Sequence, residues 1–491
     1  MRKIIIAAIG VVVLAALAVA AVPVLETHAA GQVKAAIERD GATKVGQVEV
    51  GLFDRRITLR DLTSHGAAEF TLGRWEASGL AWPLSELLAG RTPLAGFNWG
   101  DPLQANHVEL QDLRLVDPAA GNSWSMDRLV IDDLDLARFD ATYEGPYRLQ
   151  ALIARALGAL TVRRLEERNV IFTLGSADTI GMALLVADRY ERGRIASMAV
   201  GNLEATAKKG DAPLYSIADI TAGGIDLSRV IAALSSDQWY PGAPVGRVHL
   251  EKASASGFAG DMLKRYGVSL GSITFETVRE SETLSRSRTR IEGFVLAPSM
   301  RGLEGLQVRM ALQTMGVREV KADFDCVGTE DRANGELALE RCALTSPGLG
   351  DIGLSGHVVG ADADFWQAVD DGDTLALADS KAALGSAQLV LADKSLLERS
   401  LKALATVTGQ PVATTRANMA RDIKRYQPSG VLISQSLTQL LDTVARFVEQ
   451  GGTLTIEAKP EPPVGFDKLE YLVSPGADLV SLLGLKATLS R

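Results

Sequence analysis

The chain has 491 residues, and its 51 Lys and Arg against 60 Asp and Glu give a formal net charge of −9 at pH 7. Because the balance is acidic and no basic block occurs, the composition excludes a surface that grips a phosphate backbone, and we expect no nucleic acid partner. Hydrophobic residues make up 47% and charged residues 23% of the chain, which are ordinary globular values and predict a folded protein.

The first 25 residues predict a transmembrane anchor. After Met1-Arg2-Lys3, residues 4–25 carry no charged side chain, and Glu26 follows. A helix of this length reaches roughly 33 Å, which is enough to cross a hydrocarbon core of about 30 Å. Positive charge before the segment places the amino terminus in the cytoplasm. We therefore expect an inner-membrane protein with the bulk of the chain in the periplasm.

A cleaved signal peptide is the alternative interpretation of residues 1–25. Ala18-Val19-Ala20 has the small-residue spacing that signal peptidases accept. The apolar segment is longer than the usual signal core of about 7–15 residues, which favours a retained anchor. Cleavage would give a soluble protein in the same compartment.

Residues 26–360 predict a β-rich, repeat-like domain that begins with a short helix at residues 29–38. Alternation of Val48, Val50 and Leu52 with polar residues, continued by Ile57 and Leu59, indicates a first hairpin over residues 46–64. Helical inserts are predicted at residues 147–157 and 226–234, where apolar positions recur at helical spacing.

A six-residue phrase recurs through this domain: apolar, any, apolar, any, Asp or Asn, apolar. Its copies are Ile57–Leu62, Val108–Leu113, Leu129–Leu134, Met198–Leu203 and Tyr215–Ile220, with looser versions at Val248–Ala253 and Ile273–Val278. The last two apolar positions of the phrase are three residues apart, so in a regular strand their side chains would point to opposite faces of the sheet. We expect a bend or bulge at the Asp or Asn, because these residues tolerate unusual dihedrals. The phrase therefore predicts a long, curved, groove-like antiparallel sheet.

The carboxyl-terminal region, residues 361–491, has a mixed α/β pattern. Helices are predicted at residues 395–407, 412–426 and 432–448, where Gly451-Gly452 stops the last one, and a strand is predicted at residues 453–458. The change in pattern places a domain boundary near residues 360–390. The fold class is therefore mainly β with α: an anchor at 1–25, a β domain at 26–360 and a helix-containing region at 361–491.

The two cysteines, Cys326 and Cys342, bracket Asn334-Gly335, a dipeptide typical of tight hairpin turns. If residues 320–326 and 336–344 form the two strands, the sulfur atoms lie near each other and an oxidising compartment lets them bond. Two small buried thiols in a sheet are the alternative.

The sequence predicts no catalytic, cofactor or metal site, and we expect a protein that is not an enzyme. The five histidines are scattered without metal-ligand spacing. Gly348, Gly350 and Gly353 match a dinucleotide-binding spacing, but a strand and not a helix is predicted after them. An acidic cluster can hold calcium or can cap a helix; its members are Asp362, Asp364, Asp370, Asp371 and Asp373. A hydrolase whose groups come from distant segments is left open.

The order of parts resembles the start of AsmA-like bacterial envelope proteins. The resemblance is carried by the anchor, by the hairpin ending in Ile57-Thr-Leu-Arg-Asp61-Leu62 and by phrases such as Val108-Glu-Leu-Gln-Asp112-Leu113, and it covers residues 1 to about 360. It implies an inner-membrane anchor, a periplasmic β groove and a role in outer-membrane integrity or phospholipid movement. The helical region at about 390–450 departs from the family pattern.

We therefore expect a membrane-anchored periplasmic protein without cofactors, whose β groove binds phospholipid or supports outer-membrane maintenance. The alternative is a structural or assembly partner that docks another envelope protein through an open sheet edge, since edge strands pair readily with other chains.

Overall fold

The computed structural model describes residues 22–491 except 66–68, 82, 84, 87–88, 90–99, 118–120, 144–146, 176–177, 208–211, 244, 299–302, 374–375, 378, 427–433 and 469–477. By its internal contacts the chain divides into two units. Unit 1 comprises Met1–Pro213 and Gly223–Ala243, and unit 2 comprises Leu214–Ala222 and Pro244–Arg491. The compositional boundary expected near residues 360–390 lies inside unit 2.

Unit 1 is built on an antiparallel sheet in which each strand from β1 to β8 pairs with the next along the chain. The strands are β1 (Thr43–Gly51), β2 (Arg56–His65), β3 (Glu69–Ser78), β4 (Leu103–Asp117), β5 (Asn122–Leu136), β6 (Leu160–Leu174), β7 (Asp178–Glu191) and β8 (Arg194–Thr206). The predicted first hairpin is confirmed by β1 and β2.

The described helices of unit 1 are α1 (residues 22–37), α2 (Arg148–Ala159) and α3 (Ser228–Leu234). The last two confirm the predicted helical inserts. Helix α1 buries Ala29 and Val33 completely against Ile57 and Leu59 of β2, so it covers one edge of the apolar sheet face. The predicted anchor at residues 1–25 falls almost entirely outside the described residues. Among the helices that the structure does describe, none has the length and apolar character needed to cross a membrane.

Left-handed residues interrupt alternate strands of unit 1 at matching positions. Asp61, Asp112, Asn169 and Asn202 lie on β2, β4, β6 and β8 with φ of 55°, 56°, 51° and 50°. The registers pass through these positions without a shift. They align the left-handed residues in one row across the sheet, opposite Gly46, Gly73, Asp127 and Ala183.

The left-handed residue returns the next apolar side chain to the same face of the sheet. Leu62 follows Asp61 and packs with Ile57 and Leu59 in one core cluster, although the spacing in a regular strand would turn it to the other face. The predicted bend is confirmed at Asp61, Asp112, Asn202 and also at Asp133, which has φ 53°.

The bend prediction is wrong at Asp219 of β9 (Tyr215–Asp226), which has no positive φ. The left-handed residue there is on the partner strand: Gly257 has φ 71°, and a Cβ at that position would lie 2.4 Å from the Cβ of Ala218. Only glycine fits both the dihedral and the close approach, so β10 supplies the bend and Asp219 stays regular.

Unit 2 contains a second run of antiparallel pairing. Residues Leu214–Ala222 supply the first part of β9, which pairs with β10. The other strands are β10 (Lys252–Ala259), β11 (Val268–Ser269), β12 (Ser272–Arg279), β13 (Leu284–Leu296), β14 (Val320–Asp331), β15 (Glu336–Ser346), β16 (Gly350–Val359), β17 (Ala383–Asp393), β18 (Thr453–Ala458), β19 (Val464–Gly465) and β20 (Lys486–Ser490). Strand β10 begins at Lys252, so the looser phrase at Val248–Ala253 is mostly outside a strand.

The described helices of unit 2 are α4 (Asp261–Tyr266), α5 (Leu303–Thr314), α6 (Ala363–Asp371), α7 (Leu396–Thr408), α8 (Val412–Lys424), α9 (Gln435–Gln450) and α10 (Leu479–Leu482). Helices α7, α8 and α9 confirm the three predicted helices, and β18 confirms the predicted strand. Ser434 caps α9 by accepting a hydrogen bond from the Leu437 amide, and Gly451 ends the helix with φ 70°. Helices α4, α5 and α10 were not predicted.

Candidate functional site

The sheet of unit 1 has one apolar face. Directly paired residues of an antiparallel sheet point to the same side, so the registers define rows across the strands. One row contains Ile57, Ala77, Val108, Ile131, Leu165, Ala187 and Met198. The next contains Leu59, Trp75, Leu110, Leu129, Glu167, Leu185 and Val200. Glu167 is the single ionisable residue in these two rows.

The opposite face of the same sheet carries paired charges. Arg128 donates to Glu109 at 2.6 Å, and Arg168 donates to Glu166 at 2.7 Å. The hydrogen bonds from Arg168 and Arg164 lower the pKa of the Glu166 carboxyl, because they favour its ionised form. The charged side chains of this face are therefore paired with one another, whereas Glu167 is the single ionisable side chain in the two rows of the apolar face.

Unit 2 repeats this division between faces. One row of direct pairs runs over the strands from β10 to β20, and we call it the unit 2 apolar row. Its members are Ala255, Ile273, Ile291, Phe324, Leu344, Ile352, Leu391, Leu454 and Leu489. On the other face, Arg288 donates two hydrogen bonds of 2.7 Å to Asp325. This contact lowers the pKa of Asp325, with further help from Arg290 and Arg341.

The middle of the unit 2 apolar row, on β15 and β16, is poorly covered. Leu344 and Ile352 keep 40% and 43% of their surface exposed, and Leu354 on the neighbouring row keeps 46%. Exposed apolar side chains that are contiguous on one face mark an interaction surface, whereas isolated ones need no explanation. The row is therefore the strongest candidate for a binding surface in unit 2.

Helices close part of this row into a groove with a volume of about 470 Å³. Leu344, Ile352 and Leu391 of the row form its floor. Its walls come from α5, the segment before β14, α7 and α9; among the wall residues are Leu312, Met315, Val317, Leu396, Leu397 and Phe447. The volume is within the range of about 300–1,000 Å³ that small-molecule sites occupy.

The two cysteines lie on the same sheet of unit 2. Cys326 and Cys342 are direct partners across β14 and β15, and a disulfide joins them. The predicted hairpin is confirmed, with its turn at residues 332–335 and Gly335 at φ 66°. Leu354 of β16 is paired with Cys342, so the disulfide lies beside the exposed part of the apolar face.

The acidic residues considered for calcium serve other contacts. Asp362 caps α6 by accepting from the Phe365 amide, Asp370 accepts from Arg332, and Asp371 accepts from Gln367. Among the residues that the structure describes, no three His, Cys, Asp or Glu side chains come together as metal ligands. The strand predicted after Gly353 is confirmed, but β16 already begins at Gly350, so Gly350 and Gly353 lie inside the strand and not before it.

Sequence reasoning missed the left-handed residues Asn169 and Arg189 and the carboxyl of Glu167. Imperfect copies of the recurring six-residue phrase mark these positions in the sequence. Residues 165–170 match it except that Glu167 takes the second apolar position, and residues 185–190 match it with Arg189 in place of Asp or Asn. Arg189 has φ 52°, so the position keeps its geometry without the usual residue.

A family model described as an uncharacterized protein matches residues 343–490. None of the curated proteins compared with the chain matches it. The matched segment contains β16 to β18, helices α7 to α9 and β20, and so includes one wall and part of the floor of the groove.

Proposed function

We propose that this is a non-enzymatic, membrane-anchored periplasmic protein whose apolar sheet faces hold lipid acyl chains. The observation that carries the proposal is the exposure of Leu344 and Ile352 in the unit 2 apolar row, where helices α5 and α7 form walls of the groove. Covering this surface with an acyl chain contributes a favourable free energy of about 25 cal/mol for each Å² of apolar area removed from water.

The sheet gives the proposed site its length. Each strand adds about 4.8 Å across the sheet, so the run of apolar side chains from Phe324 to Leu391 follows the direction in which an extended alkyl chain would lie. The anchor predicted at residues 1–25 and the resemblance to AsmA-like envelope proteins support a phospholipid as the source of the chain. Delivery to or from the outer membrane is the role we propose.

Native mass spectrometry of the full chain after gentle extraction tests the proposal. We expect bound species with phospholipid masses. A known lipid carrier extracted in the same way serves as the positive control. Loss of all lipid from this chain, under conditions in which the carrier keeps its own, contradicts the proposal.

Site-specific crosslinking in cells locates the ligand. A photoreactive amino acid at Ile352 faces the groove, and the matched control at Thr345 is exposed on the other face of the neighbouring strand. Lipid adducts at position 352 but not at 345 support acyl-chain binding. One dominant protein adduct at 352 would instead favour the alternative, an assembly partner of another envelope protein.

The proposed compartment has an independent test. A phosphatase that is active only after export is fused behind Arg491. We expect activity in intact cells, and retention of the fusion in the inner-membrane fraction distinguishes the anchor from a cleaved signal. An inactive phosphatase fusion, together with activity of a cytosolic reporter fused at the same position, contradicts the periplasmic assignment.

A further inference from the structure

Glu167 lies where the other strands of unit 1 carry an apolar side chain. It occupies the second apolar position of the recurring phrase, which Leu59, Leu110 and Val200 fill on β2, β4 and β8. Its direct partners across the sheet are Leu129 of β5 and Leu185 of β7. The carboxyl therefore projects from the middle of the apolar face of unit 1.

The surroundings of this carboxyl are apolar on every strand that packs against it. Along the same face, its neighbours are Leu165 on β6, Ile131 on β5 and Ala187 on β7. The charged residues of these strands, among them Arg128, Glu166 and Arg168, belong to the rows of the opposite face. No titratable or charged group on these strands faces Glu167.

The carboxyl also lacks a partner of its own. Glu166, the preceding residue, accepts hydrogen bonds from Arg164 and Arg168, whereas Glu167 makes no hydrogen bond or ion pair among the residues that the structure describes. Burial without a compensating contact raises the pKa of Glu167. A carboxyl held in this way gains more from an incoming cation than one in water does.

We infer that Glu167 is the polar recognition point of a second ligand site, on the apolar face of unit 1, and that this site takes an alkyl amphiphile ending in a primary ammonium group. The inference rests on the proposed function, because the surrounding leucines must accept the alkyl chain. An ammonium donates hydrogen bonds to the carboxylate and neutralises it, while an anionic end group is repelled. The carboxylates that line the unit 2 groove, Asp351 and Asp393, already accept hydrogen bonds from Lys394 and from the Leu397 amide, so the two sites differ in the end group they select.

Calorimetry with three ligands of equal chain length tests this inference. The full chain in phosphatidylcholine nanodiscs is titrated with octylammonium, octanoate and the neutral octyl glucoside, with empty discs as the blank. We expect octylammonium to bind at least tenfold more tightly than octanoate. Glu167→Gln should weaken octylammonium binding about tenfold, the effect of one charge-assisted hydrogen bond, and leave octyl glucoside unchanged.

Glu204→Gln is the matched control, because Glu204 is exposed on the other face of β8 and its loss changes the net charge equally. Glu167→Leu restores the apolar residue of the other strands and should give the same loss as Glu167→Gln, which separates recognition from any folding defect. Equal binding of octylammonium and octanoate, or a preference that survives both Glu167 variants, overturns the inference. Binding of octyl glucoside with no ammonium preference would leave the proposed function intact, while no binding of any ligand would count against both.

Discussion

Gly73 lies opposite Asp112 across β3 and β4, and a Cβ at position 73 would lie 3.0 Å from Oδ2 of Asp112. The same relationship joins Gly46 to Asp61 on β1 and β2, where the nearest atom is the Cβ of Asp61 at 3.0 Å. The left-handed Asp therefore turns its side chain across the neighbouring strand, and the absence of a side chain on that strand makes room for it.

We predict that Asp112→Ala destabilises unit 1 by about 1 kcal/mol, because the steric strain of the left-handed backbone conformation is fully present for alanine. Asp112→Gly should cost less, since glycine adopts positive φ without strain. Urea unfolding followed by tryptophan fluorescence measures both. Asp219→Ala is the control, because Asp219 is in the same sequence phrase with a regular backbone. An equal loss at positions 112 and 219 would contradict the assigned role of the dihedral.

The disulfide leads to a prediction about oxidation state. Cys326 and Cys342 are 16 positions apart, and closing a loop of about 15 residues stabilises a protein by about 3 kcal/mol in the chain-entropy model. The protein should not react with a maleimide until it is reduced and unfolded. The double variant Cys326→Ala with Cys342→Ala should lose about 3 kcal/mol of unfolding free energy, and reducing agent should have no further effect on it. Rapid labelling of the untreated protein would contradict this.

A charge placed in the groove should abolish acyl-chain binding without unfolding unit 2. We predict that Leu344→Glu lowers affinity for a fatty acyl probe at least tenfold, because the described residues that line the groove include no Lys, Arg or His to pair with a carboxylate. The side chain is exposed enough that the melting temperature should change little. Thr345→Glu, which introduces the same charge on the other face, should bind as the parent does. Probe displacement measures binding, and equal affinities of the two variants would argue that the groove is not the site.

Asp325 should contribute to stability at neutral pH and not in acid. Its pKa is below the ordinary 3.8 because Arg288 donates to the ionised carboxylate. The folded state therefore binds fewer protons than the unfolded state, so this stabilisation is complete above pH 3.8 and is lost as pH falls through the lower folded pKa. Asp325→Asn should cost about 1 kcal/mol at pH 7. The cost measured by denaturant unfolding should shrink toward zero in acid; a cost that is independent of pH would contradict the ion-pair explanation.

Glu167 should show the opposite dependence on pH. Burial raises its pKa above the ordinary 4.5, so the folded state binds protons more readily than the unfolded state. Its favourable contribution is present below pH 4.5 and is lost as pH rises through the folded pKa. Glu167→Gln should therefore be more stable than the parent at pH 7 and about equally stable below pH 4.5. Thermal melting over this pH range measures the difference, and a parent that is more stable at pH 7 would show that the carboxyl has a partner.

Local sequence patterns were enough to predict the first hairpin, the inserts at α2 and α3, the helices α7 to α9 and the hairpin between the cysteines. Each depends on residues near one another in the chain: alternation selects a strand, a period near 3.6 selects a helix, and glycine or asparagine with positive φ marks the turn. The phrase around Asp61 even predicted a backbone bend, because a step of three between apolar residues is incompatible with a regular strand on one face.

The sequence alone determined that the chain is mainly β and that its strands are amphipathic, because each of these is a property of a few neighbouring residues. It also predicted a bend at the Asp or Asn of each phrase, which is right for Asp61, Asp112, Asp133 and Asn202 and wrong for Asp219. Only the tertiary structure decided which side chains share a row. Leu344, Ile352 and Leu391 are distant in sequence and meet through register, and Glu167 is exceptional only because its partners on β5 and β7 are leucines. Register depends on pairing between strands and not on local propensity, so the groove and the lone carboxyl become visible only in the folded sheet.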